Sequence, residues 1–292
     1  MRTIEHVSAM QAWSREVRRR EGARIALVPT MGALHEGHLS LVAHARRHAD
    51  RIVASVFVNP AQFNRADDLA RYPRDLDRDG GLLAGAGVDV LFAPAVAEMY
   101  PPGAQTFVSV EQLAGPLCGA HRPGHFRGVA TVVLALFHVV QPHVAVFGEK
   151  DYQQLALIRR MVRDLHLEID VIGAPIVREV DGLAMSSRNA HLGPEERAAA
   201  RCLVRALDAA ETRVAAGDRD AAVVRAAASA ELAHERLART EYVALVDPAT
   251  LAPVTVVEGP VLLALAVWVG ATRLIDNRLL AVAAAGRERR SA

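Results

Sequence analysis

Two rhythms of apolar spacing alternate through residues 1–175. Short aliphatic runs occupy 24–29, 52–58, 88–93, 144–147 and 169–172, and between them lie segments at 37–49, 75–86, 128–140 and 151–165 in which apolar residues recur every three to four positions. The short runs predict strands and the longer spacing predicts helices. In the last helix Leu155, Ile158, Val162 and Leu165 fall on one stripe expected to be buried, with Asp151 at the N-cap position. Strands alternating with helices predict an α/β fold whose parallel sheet carries helices on its faces.

The texture changes beyond Gly173. A loop-like stretch holds Pro175 and Asp181-Gly182, an alanine- and arginine-rich region at 195–239 has helical periodicity, and strand candidates follow at 242–246 and 261–269. These features divide the chain into a first domain over 1–175 and a smaller α+β domain over 176–292, with a frayed tail expected at 286–292.

Composition narrows the function classes. With 51% hydrophobic and 23% charged residues the chain is an ordinary globular one rather than a disordered one. Lys and Arg number 34 against 33 Asp and Glu, so no basic field attracts nucleic acid. Cys118 and Cys202 lie far apart with no metal-ligand spacing. The first ten residues lack a signal-peptide apolar core, and the longest apolar stretch, 129–140, is too short to span a bilayer, so a cytoplasmic protein without membrane association is expected.

Five segments carry the candidate chemistry. PTMGALHEGHLSLV, over 29–42, follows a strand and opens a helix. Gly32 and Gly37 would let the backbone approach a phosphate, and His35 and His38, three apart, can project to one side and donate hydrogen bonds to phosphate oxygens. A solvated helix start or a metal site are the competing explanations, although no third ligand stands at a supporting spacing. VFVNPAQF, over 56–63, ends the second strand and places Asn59 and Gln62 where a substrate lies in open α/β sheets; Asn59 equally suits a capping amide in an Asn-Pro turn. In HRPGHFRGVATVV, over 121–133, Arg122, His125 and Arg127 form either a cationic lip over phosphates or a solvated loop. FGEKDYQQ, over 147–154, offers Lys150 as a point charge, Asp151 as a ribose ligand or helix cap, and Gln154 facing the crevice while Gln153 faces away. MSSRN, over 185–189, is a mobile phosphate clamp or a common surface loop. Asp77 and Asp79 are candidates for holding Mg²⁺, or simply a solvated acidic helix face.

These segments resemble the pantothenate synthetases. His-x-Gly-His after the first strand is the signature of the nucleotidyltransferase superfamily, and the fourteen-residue string and GEKDYQQ are similar to pantothenate synthetase in particular. The resemblance implies a Rossmann-like doubly wound parallel sheet with a second, smaller domain, and an ATP-dependent ligase joining (R)-pantoate to β-alanine through a pantoyl adenylate. By resemblance, ATP as substrate lies against Met31, Gly32, Ala33, Leu34, His35, His38, Gly148, Lys150, Asp151, Val177, Met185, Ser186, Ser187 and Arg188. Of these, His35, His38, Lys150 and Arg188 serve catalysis. Gln62, Gln154 and Asn59 are expected to contact pantoate or β-alanine, Arg122 and His125 to contact phosphate, and Asp79 to hold Mg²⁺, although Arg78 stands where relatives often carry an acidic residue. A homodimer through the first domain is also implied. A transferase that leaves AMP on its product, or a nucleotide sensor without catalysis, would share part of this pattern.

Overall fold

The computed structural model describes residues 1–281; the tail expected to fray at 286–292 lies outside the described residues. The chain forms two compact units that interleave rather than part at one residue: Met1–Val180 with Ala184–Ala190, and Asp181–Leu183 with the described chain from His191 onward.

The first unit is built on six strands, β1 (Arg2–Ile4), β2 (Ile25–Thr30), β3 (Arg51–Val56), β4 (Val90–Phe92), β5 (Val144–Gly148) and β6 (Asp170–Ala174). They lie in the order β1-β4-β3-β2-β5-β6, every pairing parallel. The central strands carry unbroken apolar stretches at 25–29, 52–54 and 144–147 because both faces are covered, as a parallel sheet requires. Helix α1 (Val7–Glu16) lies between β1 and β2 in the chain. In β2, Ala26 and Val28 enter a core shared with Leu41, Val42 and Ala45 of helix α2 (Glu36–Arg46) and Leu83 of helix α3 (Leu76–Gly85). Ile25 and Leu27 point to the other face and are equally buried. Helix α4 (His125–Val140) buries most of its length, and helix α5 (Tyr152–Asp164) buries Leu155, Ile158, Met161 and Val162.

The expected stripe on α5 ends early. The helix stops at Asp164, and Leu165, at its C-cap, is half exposed while Met161 takes its place in the core. Asp151 occupies the N-cap position but its side chain makes no capping hydrogen bond. Helix α4 begins three residues before the predicted start, which puts His125 and Arg127 in its first turn instead of in a loop. Strand β1 and helix α1 have no counterpart among the predicted elements; three residues are too few to set a period, and the helix mixes polar and apolar positions.

The second unit packs helices Pro194–Ala200, Cys202–Ala215 and Ala221–Ala233 on one face of a three-stranded antiparallel sheet, β7 (Ala238–Val246), β8 (Val261–Val269) and β9 (Thr272–Leu280). Helix therefore ends at Ala233, short of 239, and β9 is an unexpected strand. Buried Asp276 and Asn277 interrupt its apolar pattern, which hides it from a periodicity argument.

Candidate active site

Strand β2 pairs with β3 on one side and β5 on the other, so the chain order reverses between β2 and β5. Crevices for ligands form outside the carboxyl ends of strands at such a point. The segments leaving β2 and β5 are those that contain His35, His38 and Lys150.

The turn after β2 is held in an uncommon conformation. Gly32 and Ala33 both have positive φ, at 83° and 52°, and left-handed backbone is unfavourable for alanine unless its surroundings impose it. Asp79, from α3, imposes it: its Oδ2 accepts the Ala33 N–H at 2.8 Å and its Oδ1 accepts the Leu34 N–H at 2.9 Å. A Cβ at Gly32 would stand 2.8 Å from that Oδ2 and 3.1 Å from Val56. The next residue, His35, caps α2. Its Nδ1 accepts the Gly37 N–H at 3.1 Å, while the His35 N–H donates to Nδ1 of His38 at 3.4 Å, a capping box made from two imidazoles. The rings lie 4.1 Å apart. A Cβ at Gly37 would come within 2.9 Å of the His35 ring. Both glycines make room for protein groups, Asp79 at Gly32 and the His35 ring at Gly37, and Gly37 also lines a cleft together with His35 and His38.

This arrangement fixes the protonation of the pair. A nitrogen that accepts a backbone N–H carries no proton, so in each neutral ring the proton sits on Nε2, away from the helix backbone. Burial and then Lys150 lower the pKa of His35; burial, then His35 and Lys150, push that of His38 down to about 3. Both are neutral hydrogen-bond donors at pH 7.

Gln62 and Asn59 form a second cluster at the end of β3. Asn59 is 1% exposed. Its amide donates to Oε1 of Gln62 at 3.0 Å and to the Gly128 carbonyl at 3.1 Å, and its Oδ1 accepts the Tyr100 hydroxyl at 2.8 Å and the Ala61 N–H at 3.2 Å. All four of its hydrogen-bonding positions are engaged by the protein, so its geometry is that of an orienting group for Gln62. Burial raises the Tyr100 phenol to about 12, which keeps it a donor. The backbone carbonyl of Gln62 meets Nδ1 of His125 at 2.8 Å, and the Arg122 guanidinium meets Nε2 of the same ring at 3.1 Å. Burial, then Arg122, lowers His125 to about 4. Gly128 lets α4 approach this turn, since a Cβ there would lie 2.2 Å from the Ala61 carbonyl oxygen.

One cleft in the first unit gathers most of the expected residues: Met31, His35, His38, Asn59, Gln62, Arg122, His125, Gly148, Lys150, Asp151, Gln154, Val177, Met185, Ser186, Ser187 and Arg188 all line it. It contains about 1520 Å³ of atom-free space counted out to its open mouth. The Met185 N–H donates to the Val177 carbonyl at 2.9 Å, joining the two legs of the segment that carries the serines and Arg188. Asn189 is buried behind them, donating to the Ala184 carbonyl at 3.1 Å. Gln153 turns away as expected and binds the Cys118 N–H and the carbonyls of Leu113 and Pro116.

Other expected residues lie outside this cleft. Ala33 and Leu34 sit behind it, Gly32 and Asp79 line a separate apolar cavity, and Arg127 stacks on Phe107 at 3.9 Å from the ring centre. Among the described residues no group of three His, Cys, Asp or Glu side chains is placed to hold a metal ion. Sequence reasoning overlooked an apolar wall, Val129, Val132, Val133 and Leu136 of α4, and Tyr72, whose ring meets Phe63 edge-on at 5.7 Å. No helix among the described residues is long and apolar enough to cross a membrane.

Comparison with known proteins gives concordant results. A family model described as Pantoate-beta-alanine ligase matches residues 2–279. Pantothenate synthetase of Syntrophobacter fumaroxidans is 58% identical over 284 residues, covering 97% of this chain and all of that protein. The Heliobacterium modesticaldum pantothenate synthetase is 56% identical over 282 residues, with 97% and 100% covered. The crystal structure of pantothenate synthetase from Thermus thermophilus superposes with a TM-score of 0.90 at 48% identity, covering 96% of this chain and 100% of that one. Pantoate-beta-alanine ligase from Francisella tularensis, crystallised in complex with beta-gamma ATP and beta-alanine, superposes with a TM-score of 0.78 at 32% identity over 96% and 97% of the two chains.

Proposed function

The chain belongs to the pantoate-beta-alanine ligase family and condenses pantoate with β-alanine at the expense of ATP through a pantoyl adenylate, and from that premise we propose how its pocket residues divide the work. A carboxylate resists attack by an amine because its leaving group would be oxide, so the acid must first be activated. A carboxylate oxygen of pantoate attacks the α-phosphorus of ATP, the bond to pyrophosphate breaks, and a mixed anhydride results. The amine of β-alanine then attacks the acyl carbon, loses a proton, and the bond to AMP breaks.

The first step adds negative charge at the phosphate oxygens. The Nε2–H groups of His35 and His38 donate to those oxygens, and Lys150 and Arg188 supply positive charge, with Ser186 and Ser187 as further donors. The observation that carries this assignment is the convergence of His35, His38, Lys150 and Arg188, from three separate segments, on one cleft. Backbone at Met31, Gly148, Val177 and Met185 lies against the nucleotide, and Asp151, which does not cap its helix, holds the ribose hydroxyls. Gln62, oriented by Asn59, and Gln154 bind pantoate and receive the amine, while the α4 wall meets the branched hydrocarbon of the acid. Arg122 lines the same space and contacts phosphate, steadied by His125, whose Nδ1–H is given to the Gln62 carbonyl and whose Nε2 accepts from the Arg122 guanidinium. A closed cleft is needed to keep water from the anhydride.

Mg²⁺ enters with the nucleotide in this reading. Asp79 has both oxygens on backbone amides, so the residues present do not build a resident site, whereas a magnesium carried on a triphosphate retains water and needs few protein carboxylates. A cytoplasmic setting is supported by ATP as a substrate. A homodimer through the first unit is supported by Leu76 and Val96, which line the second, apolar cavity and are 41% and 49% exposed.

Exchange of labelled pyrophosphate into ATP tests the adenylate step. Exchange is expected with pantoate present and β-alanine absent; exchange that ignores pantoate, or appears only with the amine, contradicts it.

A further inference from the structure

The turn that delivers His35 and His38 is gripped from both sides by a pair of adjacent residues on α3. Asp79 takes the N–H groups of Ala33 and Leu34, and Arg78 donates from Nη2 to the Leu34 carbonyl at 3.1 Å while its Nη1 lies 3.4 Å from Oδ1 of Asp79. Successive backbone N–H groups in left-handed conformation form a concave nest suited to an anion. Here the anion is a side chain of the same protein, 1% exposed, and the turn is wrapped around it. A buried carboxylate persists only where hydrogen bonds and an opposite charge compensate it, and this one has two amides and a guanidinium. Leu34 is itself fixed at both ends, its peptide by the clamp and its side chain by the core. The residue that follows is His35, the N-cap of α2 and partner of His38.

We propose that Asp79 and Arg78 are positioning residues for adenylate formation: together they set the 32–34 backbone so that the Nε2 atoms of His35 and His38 face the triphosphate. The inference rests on the roles assigned above to the two histidines. Neither residue lines the cleft, and neither touches the reacting atoms. The clamp also accounts for the glycine at position 32, whose missing Cβ would collide with Asp79, and for an alanine held at positive φ at position 33. The acidic side chain at 79 thus serves the turn through the backbone rather than through a metal ion.

The test compares the two half-reactions in Asp79→Asn, Arg78→Ala and Arg78→Lys. Arg78 is the safer probe of folding, because its side chain is 55% exposed. Pantoate-dependent pyrophosphate exchange is expected to fall by about tenfold or more in Asp79→Asn and by roughly threefold to tenfold in Arg78→Ala, since small displacements of positioned groups are costly to catalysis. Arg78→Lys, which retains a donor for the Leu34 carbonyl, should recover part of the loss. The KM for pantoate and the release of AMP from supplied pantoyl adenylate by β-alanine should stay near their wild-type values. Wild-type exchange in Asp79→Asn and Arg78→Ala overturns the proposal, as does a fall of both half-reactions by one common factor, the signature of less folded enzyme. Absence of pantoate-dependent exchange in the wild-type protein would instead overturn the roles on which the inference rests.

Discussion

At the scale of single residues, the site depends on two imidazoles kept neutral by burial and by neighbouring positive charge, with their tautomer set by their own helix. Each Nδ1 accepts a backbone N–H, which leaves the proton on Nε2, and burial, then the charges of His35 and Lys150, take the pKa of His38 down to about 3. That has a consequence for stability. The unfolded chain protonates His38 near the ordinary value of 6.5 while the folded chain does not, so stability rises with pH wherever the unfolded state holds the extra proton. His38 therefore costs nothing above pH 6.5, stability is lost as pH falls below it, and the loss levels off near 3; His125 acts likewise down to about 4. His38→Ala is expected to fold, to lose about a hundredfold or more in pyrophosphate exchange, and to show a shallower decline of urea stability than the wild type as pH falls from the ordinary histidine value of 6.5 toward 3. Exchange at the wild-type rate contradicts the donor role. The histidines, Lys150 and Arg188 are legible in the sequence because each sits in a short polar segment that the strand pattern or the family motif marks out. Tyr72 and the α4 wall are not, since an isolated aromatic carries no period and an apolar helix face looks the same whether it meets core or ligand.

At the scale of elements, glycines decide how closely the pieces approach. Gly37 lies in the first turn of α2, where alanine is the better helix former. Its absent Cβ leaves space for the His35 ring, so Gly37→Ala should keep the thermal midpoint of the wild type and yet lower exchange by about tenfold or more through displacement of that ring. A variant as active as the wild type would show that the ring position is immaterial. The elements themselves are legible in proportion to their regularity. The central strands β2, β3 and β5 each hold an unbroken apolar stretch, and α2, α4 and α5 bury apolar residues at three-to-four spacing. Strand β9 carries Asp276 and Asn277 inside a sheet, and the end of α5 is set by a C-cap that the periodic stripe does not contain. The capping pattern at Asp151 misleads for a related reason: residue type and position suggest a cap, but its side chain does not serve the helix.

At the scale of the whole molecule, the reversal of strand order between β2 and β5 explains why segments far apart in sequence meet at one cleft. The exposed Leu76 and Val96 beside an apolar cavity belong to this scale as well. Light scattering should give a mass near twice the 31.4 kDa of one chain, and a single-chain mass would refute the dimer. The central claim is that pantoate is activated by bonding one of its carboxylate oxygens to the α-phosphorus of ATP, and the fate of that oxygen tests it most directly. Pantoate labelled with ¹⁸O in its carboxylate is converted with ATP and β-alanine, and the products are weighed by mass spectrometry. One labelled oxygen per turnover should appear in AMP, with the other left in the amide carbonyl of pantothenate; label in pyrophosphate, or none in AMP, would contradict the account.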